Sequence, residues 1–71
     1  MKKLETYVLE DGELTPSLEN IQECVHIAKE HDCFVELIWI MKWSGKYSRI
    51  IGPDDDPQDF YDKRIPKVYG M

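Results

Sequence analysis

One long strand pattern constrains the fold of this 71-residue chain more than any other feature. Residues 33–43 are dense in Val, Ile, Phe and Trp, and neither Gly nor Pro interrupts the chain again until Gly45. β-branched and aromatic side chains favour the pleated, half-buried surface of a sheet. We therefore predict a strand over residues 33–43, and its apolar character places it at the centre of the sheet.

The residues before this strand predict a first strand and a helix. Residues 3–10 alternate partially between apolar and polar types, and the Asp11-Gly12 pair that follows suits a tight turn. Thr15-Pro16 predicts a helix start, because a Thr oxygen can accept a bond from a free backbone N–H and Pro at the first helical position has no donor to satisfy. Helical spacing then predicts a helix over residues 16–31 whose inward face contains Leu18, Ile21, Cys24, Val25, Ile27 and Ala28.

The residues after the central strand predict a hairpin. Ser44-Gly45 can form a two-residue turn into a strand over residues 46–51. That turn would pair Trp43 with Lys46, Met41 with Ser48 and Trp39 with Ile50.

A short second helix is predicted to follow the hairpin. Gly52-Pro53 ends the strand, because Pro cannot donate to a strand ladder. Asp56-Pro57 with Asp59 is typical of a helix N-terminus and predicts one or two turns through about residue 63, before Pro66.

These elements define the predicted fold class. The order strand, helix, strand, strand, short helix indicates a small α+β domain over residues 1–71, with a three-stranded mixed sheet and one main helix packed on one face. A chain of 8.4 kDa leaves room for a single domain. We therefore do not expect a multidomain enzyme.

Charge and hydropathy restrict the classes of partner. The formal net charge of -5 and the pI near 4.8 argue against general nucleic-acid binding and against attraction to anionic membranes, since both reward a positive surface. The longest apolar run, residues 37–41, falls far short of the roughly 20 residues that span a bilayer. No apolar stretch typical of a secretory signal follows Met1, so we expect a cytoplasmic protein without membrane contact.

Candidate metal and catalytic groups are weak. Cys24, His31 and Cys33 could approach one another. However, the sequence lacks the pairs of closely spaced ligands, such as C-x-x-C, that are typical of a structural zinc site. Both cysteines occupy inward positions, which predicts buried, unreactive thiols, and His26 is predicted to lie on the surface. The acidic run over residues 54–56 lacks the ligand spacing of a calcium loop and is explained by helix capping. We therefore predict no catalytic residue, no metal and no cofactor.

The strongest functional indication is a sheet face that the main helix cannot cover. Alternation assigns Phe34, Glu36, Ile38, Ile40 and Lys42 to the face opposite the core, and the predicted hairpin adds Tyr47, Arg49 and Ile51 to it. A helix covers only one side of a sheet, so this second face needs the C-terminal segment or another molecule. Eleven strand residues extend about 36 Å, whereas a sixteen-residue helix spans about 24 Å, so the hairpin tip is expected to project beyond the helix.

Two functional hypotheses use this surface. The first is a non-enzymatic protein-interaction module, a homodimeric accessory or inhibitor-type protein that binds through the second face and the hairpin. The alternative is a small-ligand or nucleotide-binding protein, with phosphate held by Lys42, Lys46 and Arg49. The candidate binding residues are Phe34, Ile38, Ile40, Lys42, Trp43, Lys46, Tyr47 and Arg49. A purely structural explanation also stands, in which Trp43 closes the core and the cations are solvated strand-edge residues.

No family signature is legible in these residues. Small size, acidity and the lack of catalytic motifs are shared by many small phage and bacterial accessory proteins, including inhibitors of host defence. The likeness concerns only these general properties, and it assigns no role to any residue of this chain.

Overall fold

The fold is a three-stranded mixed sheet with both helices on one side. The computed structural model describes residues 3–9, 15–41 and 45–65. The elements follow one another in the order β1 (Leu4–Leu9), α1 (Leu18–His31), β2 (Phe34–Met41), β3 (Gly45–Ile51) and α2 (Pro57–Arg64). β2 lies between β1, which runs parallel to it, and β3, which runs antiparallel. The predicted α+β fold and the central position of β2 are confirmed.

α1 begins two residues later than predicted, with a different cap. The N-cap is Ser17, whose Oγ accepts a bond from Asn20 N at 3.2 Å, while Ser17 N donates to Asn20 Oδ1 at 2.9 Å. The prediction of Thr15 as the cap was wrong. Two reciprocal bonds satisfy both ends of this capping box, whereas the residue three positions after Thr15 is the apolar Leu18 and cannot return a bond.

The core lies between α1, α2 and one face of the sheet. Four of the six predicted inward positions of α1 are buried, and the other two, Leu18 and Ile27, are partly buried. The buried side chains of the core are Ile21, Cys24, Val25, Ala28, Cys33, Val35, Leu37, Trp39, Ile51, Phe60 and Ile65. Since Phe60 and Ile65 belong to this cluster, the described C-terminal residues add to the helical layer and leave the opposite face of the sheet uncovered.

The second helix forms as its sequence predicts. Asp56 caps α2 by accepting a bond from Asp59 N at 3.2 Å, and Pro57 occupies the first turn. In the described ranges, neither helix is long and apolar enough to cross a bilayer. The tight turn predicted at Asp11-Gly12 and the helix stop predicted at Pro66 lie outside the described residues.

The hairpin register differs from the predicted one by three residues. Trp39 pairs with Tyr47 instead of Ile50, and Met41 pairs with Gly45 instead of Ser48. Gly45 belongs to β3, with a φ of 95°, so it is not the second residue of a two-residue turn. β2 ends at Met41, and the remaining predicted pair, Trp43 with Lys46, was also wrong, because Lys46 pairs with Ile40.

The change of register exchanges the two faces of β3. Side chains alternate with a period of two along a strand, so an odd shift moves each of them to the other side of the sheet. Tyr47, Arg49 and Ile51 therefore share the core face with Trp39. The predicted pairing placed them on the opposite face and was wrong. The fully buried Ile51 explains the observed choice, because this register places it opposite Val35 inside the core.

Candidate functional site

The candidate site is the sheet face opposite the helices, which we call the open face. The strand registers place ten described side chains on it: Leu4, Thr6, Val8, Phe34, Glu36, Ile38, Ile40, Lys46, Ser48 and Ile50. Five of these are large hydrophobic residues that are about half exposed: Leu4 (54%), Val8 (49%), Phe34 (40%), Ile40 (49%) and Ile50 (43%). Because every exposed large hydrophobic residue of the described chain lies on this face, the exposure belongs to a surface and not to scattered positions.

The open face is organised in rows across the three strands. At one end, Leu4 lies beside Phe34; at the other end, Ile40 lies beside Lys46. Between them run a row with Glu36 at its centre and a row with Ile38 at its centre. The charged groups among the described open-face residues are therefore one carboxylate and one ammonium, four strand positions apart along the strand direction, or about 13 Å at 3.3 Å per residue.

The structure places the predicted binding residues on two different faces. Phe34, Ile38 and Ile40 lie on the open face as predicted. Lys46 joins them there, although the predicted pairing with Trp43 had placed it on the core face. Tyr47 and Arg49 lie on the core side, while Lys42 and Trp43 lie outside the described residues.

Tyr47 and Arg49 have structural contacts of their own. The Tyr47 ring stacks on the buried Trp39 ring, with centroids 5.5 Å apart and planes inclined by 16°. The Arg49 guanidinium carbon lies 5.8 Å from the Trp39 ring centre, and Arg49 Nε donates to the backbone oxygen of Arg64 at 2.9 Å. Arg49 therefore joins β3 to the end of α2 and shields the core tryptophan.

The proposed phosphate patch is not assembled by the described residues. Lys46 and Arg49 are three positions apart on one strand and project from opposite faces of the sheet. A phosphate on the open face would contact Lys46 alone of these two cations.

Sequence reasoning did not identify Leu4, Val8 and Ile50 as part of this surface. Leu4 and Val8 occupy alternate positions of β1, and the parallel register aligns them with Phe34 and Ile38. The alternation of residues 4–8 was the available signal, since it sorts Leu4, Thr6 and Val8 onto one face. Ile50 was missed because of the register error.

A small pocket of about 210 Å³ lies at the Phe34 end of the open face. Its lining consists of Phe34, Ile50, Gly52, Pro53, Asp54 and Asp55. Asp55 Oδ2 accepts a bond from Gly52 N at 2.7 Å, which fixes the carboxylate over the end of β3. The volume is below the roughly 300–1,000 Å³ of ordinary small-molecule sites and suits one side chain.

Gly52 brings the aromatic wall of this pocket close to the backbone. A Cβ at Gly52 would lie 3.1 Å from Cε1 of Phe34, so the ring packs where any other residue would place its side chain. The lining of the pocket therefore combines apolar side chains with two carboxylates, a chemistry that suits a cation on an aliphatic stem.

The thiols and histidines form no metal site in the described part of the chain. Cys24 and Cys33 are free and buried, as predicted. Burial, with a smaller contribution from Glu23, raises the pKa of Cys24 to about 12, which keeps it protonated and non-nucleophilic. His31 and His26 are exposed, and His26 Nε2 lies 3.0 Å from a Glu30 carboxylate oxygen. Among the described residues, no three His, Cys, Asp or Glu side chains are arranged so that they could hold a metal ion.

Comparison with protein-family models, with curated proteins and with solved structures finds no match to this chain.

Proposed function

We propose that this chain is a non-enzymatic protein-interaction module and that a second copy of the chain covers the open face. The observation that carries the proposal is the gathering of five half-exposed hydrophobic side chains on one sheet face, with both helices on the other. Hydration of these side chains is unfavourable, and an apolar patch of a few hundred Å² that is gathered on one face is often an interaction site.

The charges of the open face favour a second copy as the occupant. Its strand residues carry one acid, Glu36, and one base, Lys46, and the pocket at the Phe34 end adds Asp54 and Asp55, so one end of the face is acidic and the other end is basic. A strongly acidic or basic partner would meet a like charge, whereas a second copy can place each charge away from its own kind. Exposed hydrophobic residues also lie at both ends of β2, Phe34 at one and Ile40 at the other, so a two-fold symmetric contact can cover each of them with the other.

The size of the face sets the expected strength of the contact. Three strands about 4.8 Å apart and about seven residues long cover roughly 330 Å² in projection. Stable complexes of standard size bury about 800 Å² per partner, so this contact belongs to the smaller class. We expect a dissociation constant in the micromolar range.

Sedimentation velocity between about 10 µM and 1 mM tests the proposal. The natural chain is expected to change from monomer to dimer across this range. Ile40→Glu is expected to keep it monomeric by placing a carboxylate in the apolar surface, and Ile40→Thr, which retains a β-branched strand former, is expected to weaken the dimer less. Gln22→Glu on the exposed side of α1 changes the net charge equally and is the matched control.

Two results would contradict the proposal. One is a natural chain that remains monomeric at 1 mM. The other is a dimer that Ile40→Glu and Gln22→Glu affect equally, because the contact would then lie elsewhere. Circular dichroism of each variant shows whether the fold is retained.

The proposal also includes a cytoplasmic location, supported by two free, buried thiols in place of a disulfide. Recovery of the chain in the soluble cytoplasmic fraction of its source cell is the expected result of fractionation.

A further inference from the structure

We propose that the two copies stack with their strands antiparallel, so that Lys46 of each copy inserts its ammonium group into the pocket of the other. This inference rests on the homodimer proposed above and defines its geometry. It also assigns a ligand to the pocket, namely a primary ammonium on an aliphatic stem.

The positions of the pocket and of Lys46 indicate this arrangement. Both lie on the β3 side of the face, but at opposite ends: Gly52 directly follows the last residue of β3, and Lys46 is the second residue of β3. Six residues of extended chain separate them by about 20 Å. An operation that reverses the strand direction and keeps β3 in place therefore brings Lys46 to the position of the pocket.

One symmetry operation has this effect. A two-fold axis in the plane of the interface and perpendicular to the strands reverses the strand direction and keeps β3 over β3. It brings Lys46 of each copy onto the pocket of the other, giving two equivalent contacts. A two-fold axis parallel to the strands would instead place Lys46 over the β1 side at the same end, far from both pockets.

The same axis matches the other side chains of the face. It places Phe34 opposite Ile40 of the second copy, so that the two exposed hydrophobic ends cover each other. It also brings the Ser48 hydroxyl of the second copy beside the half-buried Glu36, which can accept its hydrogen bond. The only described acid within the rows therefore gains a donor.

The chemistry of the pocket suits a lysine. The aliphatic stem of Lys46 can lie along Phe34 and Ile50, while the ammonium reaches the carboxylates among the lining residues. Asp55 is positioned by its bond with Gly52 N, and the exposed Asp54 stands next to it. Lys46 is itself exposed on the open face, so its insertion breaks no contact in the core.

Reciprocal charge reversal tests this geometry. Lys46→Glu and Asp54→Lys are each expected to raise the dissociation constant of their own homodimer at least tenfold, because each creates two like-charge contacts. An equimolar mixture of the two variants is expected to form a heterodimer within about threefold of the natural affinity, because both of its contacts pair opposite charges. Sedimentation velocity of the mixture, with native mass spectrometry to identify the heterodimer, measures this recovery.

The outcomes separate this inference from the proposed function. Lys29→Glu on α1 is the matched control for Lys46→Glu and is expected to leave the dissociation constant unchanged. If the natural chain dimerises and Ile40→Glu prevents it, but charge reversal has no effect or the mixture shows no recovery, the open-face dimer stands and the lysine-pocket contact is wrong. A natural chain that stays monomeric at 1 mM overturns both.

Discussion

Cys24 shows how the core controls the chemistry of a single residue. Its side chain is fully buried between α1 and the sheet, and burial raises its pKa from 9.0 to about 12. The folded state therefore keeps the thiol protonated at pH values where the unfolded chain would release the proton. Above pH 9 the unfolded state binds fewer protons than the folded state, so the free energy of unfolding must fall as the pH rises.

We predict that the free energy of unfolding falls by roughly 1 kcal/mol between pH 7 and pH 10, as the Cys24 thiol of the unfolded state ionises. Urea denaturation across this range measures the loss. Cys24→Ala removes the ionising group, so its stability is expected to start lower at pH 7 and to show less of this decline.

Tyr7 requires a separate control in this measurement. Its hydroxyl donates to a Glu23 carboxylate oxygen at 2.8 Å, and this bond raises the pKa of Tyr7 above 10.0. A raised pKa of Tyr7 also makes the free energy of unfolding fall as the pH rises. This fall begins at a higher pH than the one caused by Cys24. Equal declines in the natural chain, Tyr7→Phe and Cys24→Ala would contradict the assignment to Cys24.

At the scale of the element, α1 depends on the capping box that Ser17 and Asn20 form at its start. We predict that Ser17→Ala destabilises the protein by about 1 kcal/mol, because the backbone N–H of Asn20 loses the Ser17 oxygen. Thr15→Ala is the matched control and is expected to change the stability by less than about 0.5 kcal/mol. The shift of the urea midpoint measures both, and a larger effect at Thr15 would contradict the observed capping box.

The same scale shows which parts of the fold the sequence could predict. Periodicity identified the α1 core positions and the central strand. The buried positions repeat along each element, and this repeat can be recognised without knowing which element packs against it. The hairpin register depends on contacts between elements. Ile50 and Ile51 are equally apolar, and the choice of Ile51 for the core involves Arg49, which bonds to Arg64 of α2, and Tyr47, which stacks on Trp39. Pairing rules for two strands contain none of these contacts.

The candidate site was half predictable for the same reason. The apolar residues of β2 follow from alternation alone and were placed correctly on the open face. Tyr47 and Arg49 resemble binding residues in sequence, since exposed aromatic and Arg side chains are typical interface anchors. The strand register and the contact with α2 place both side chains against Trp39. Their contacts therefore stabilise the fold, and neither lies on the open face.

At the scale of the whole molecule, residues 3–9, 15–41 and 45–65 form two layers, one of strands and one of helices. A domain of about 60 residues buries only about 60% of its unfolded surface, so one covered sheet face supplies a small stabilisation. Pairing of two open faces would bury further apolar area that belongs to the folded state alone. Dimerisation and folding should therefore be coupled.

We predict that the urea midpoint of the natural chain rises with protein concentration. Well above the dissociation constant, each tenfold increase is expected to add about 0.7 kcal/mol per chain, half of the 1.4 kcal/mol that mass action gives per dimer. Ile40→Glu, which is expected to stay monomeric, should have a midpoint independent of concentration, and Gln22→Glu should behave as the natural chain does. A natural chain whose midpoint is constant from 10 µM to 1 mM would mean that its folded state gains nothing from a second copy.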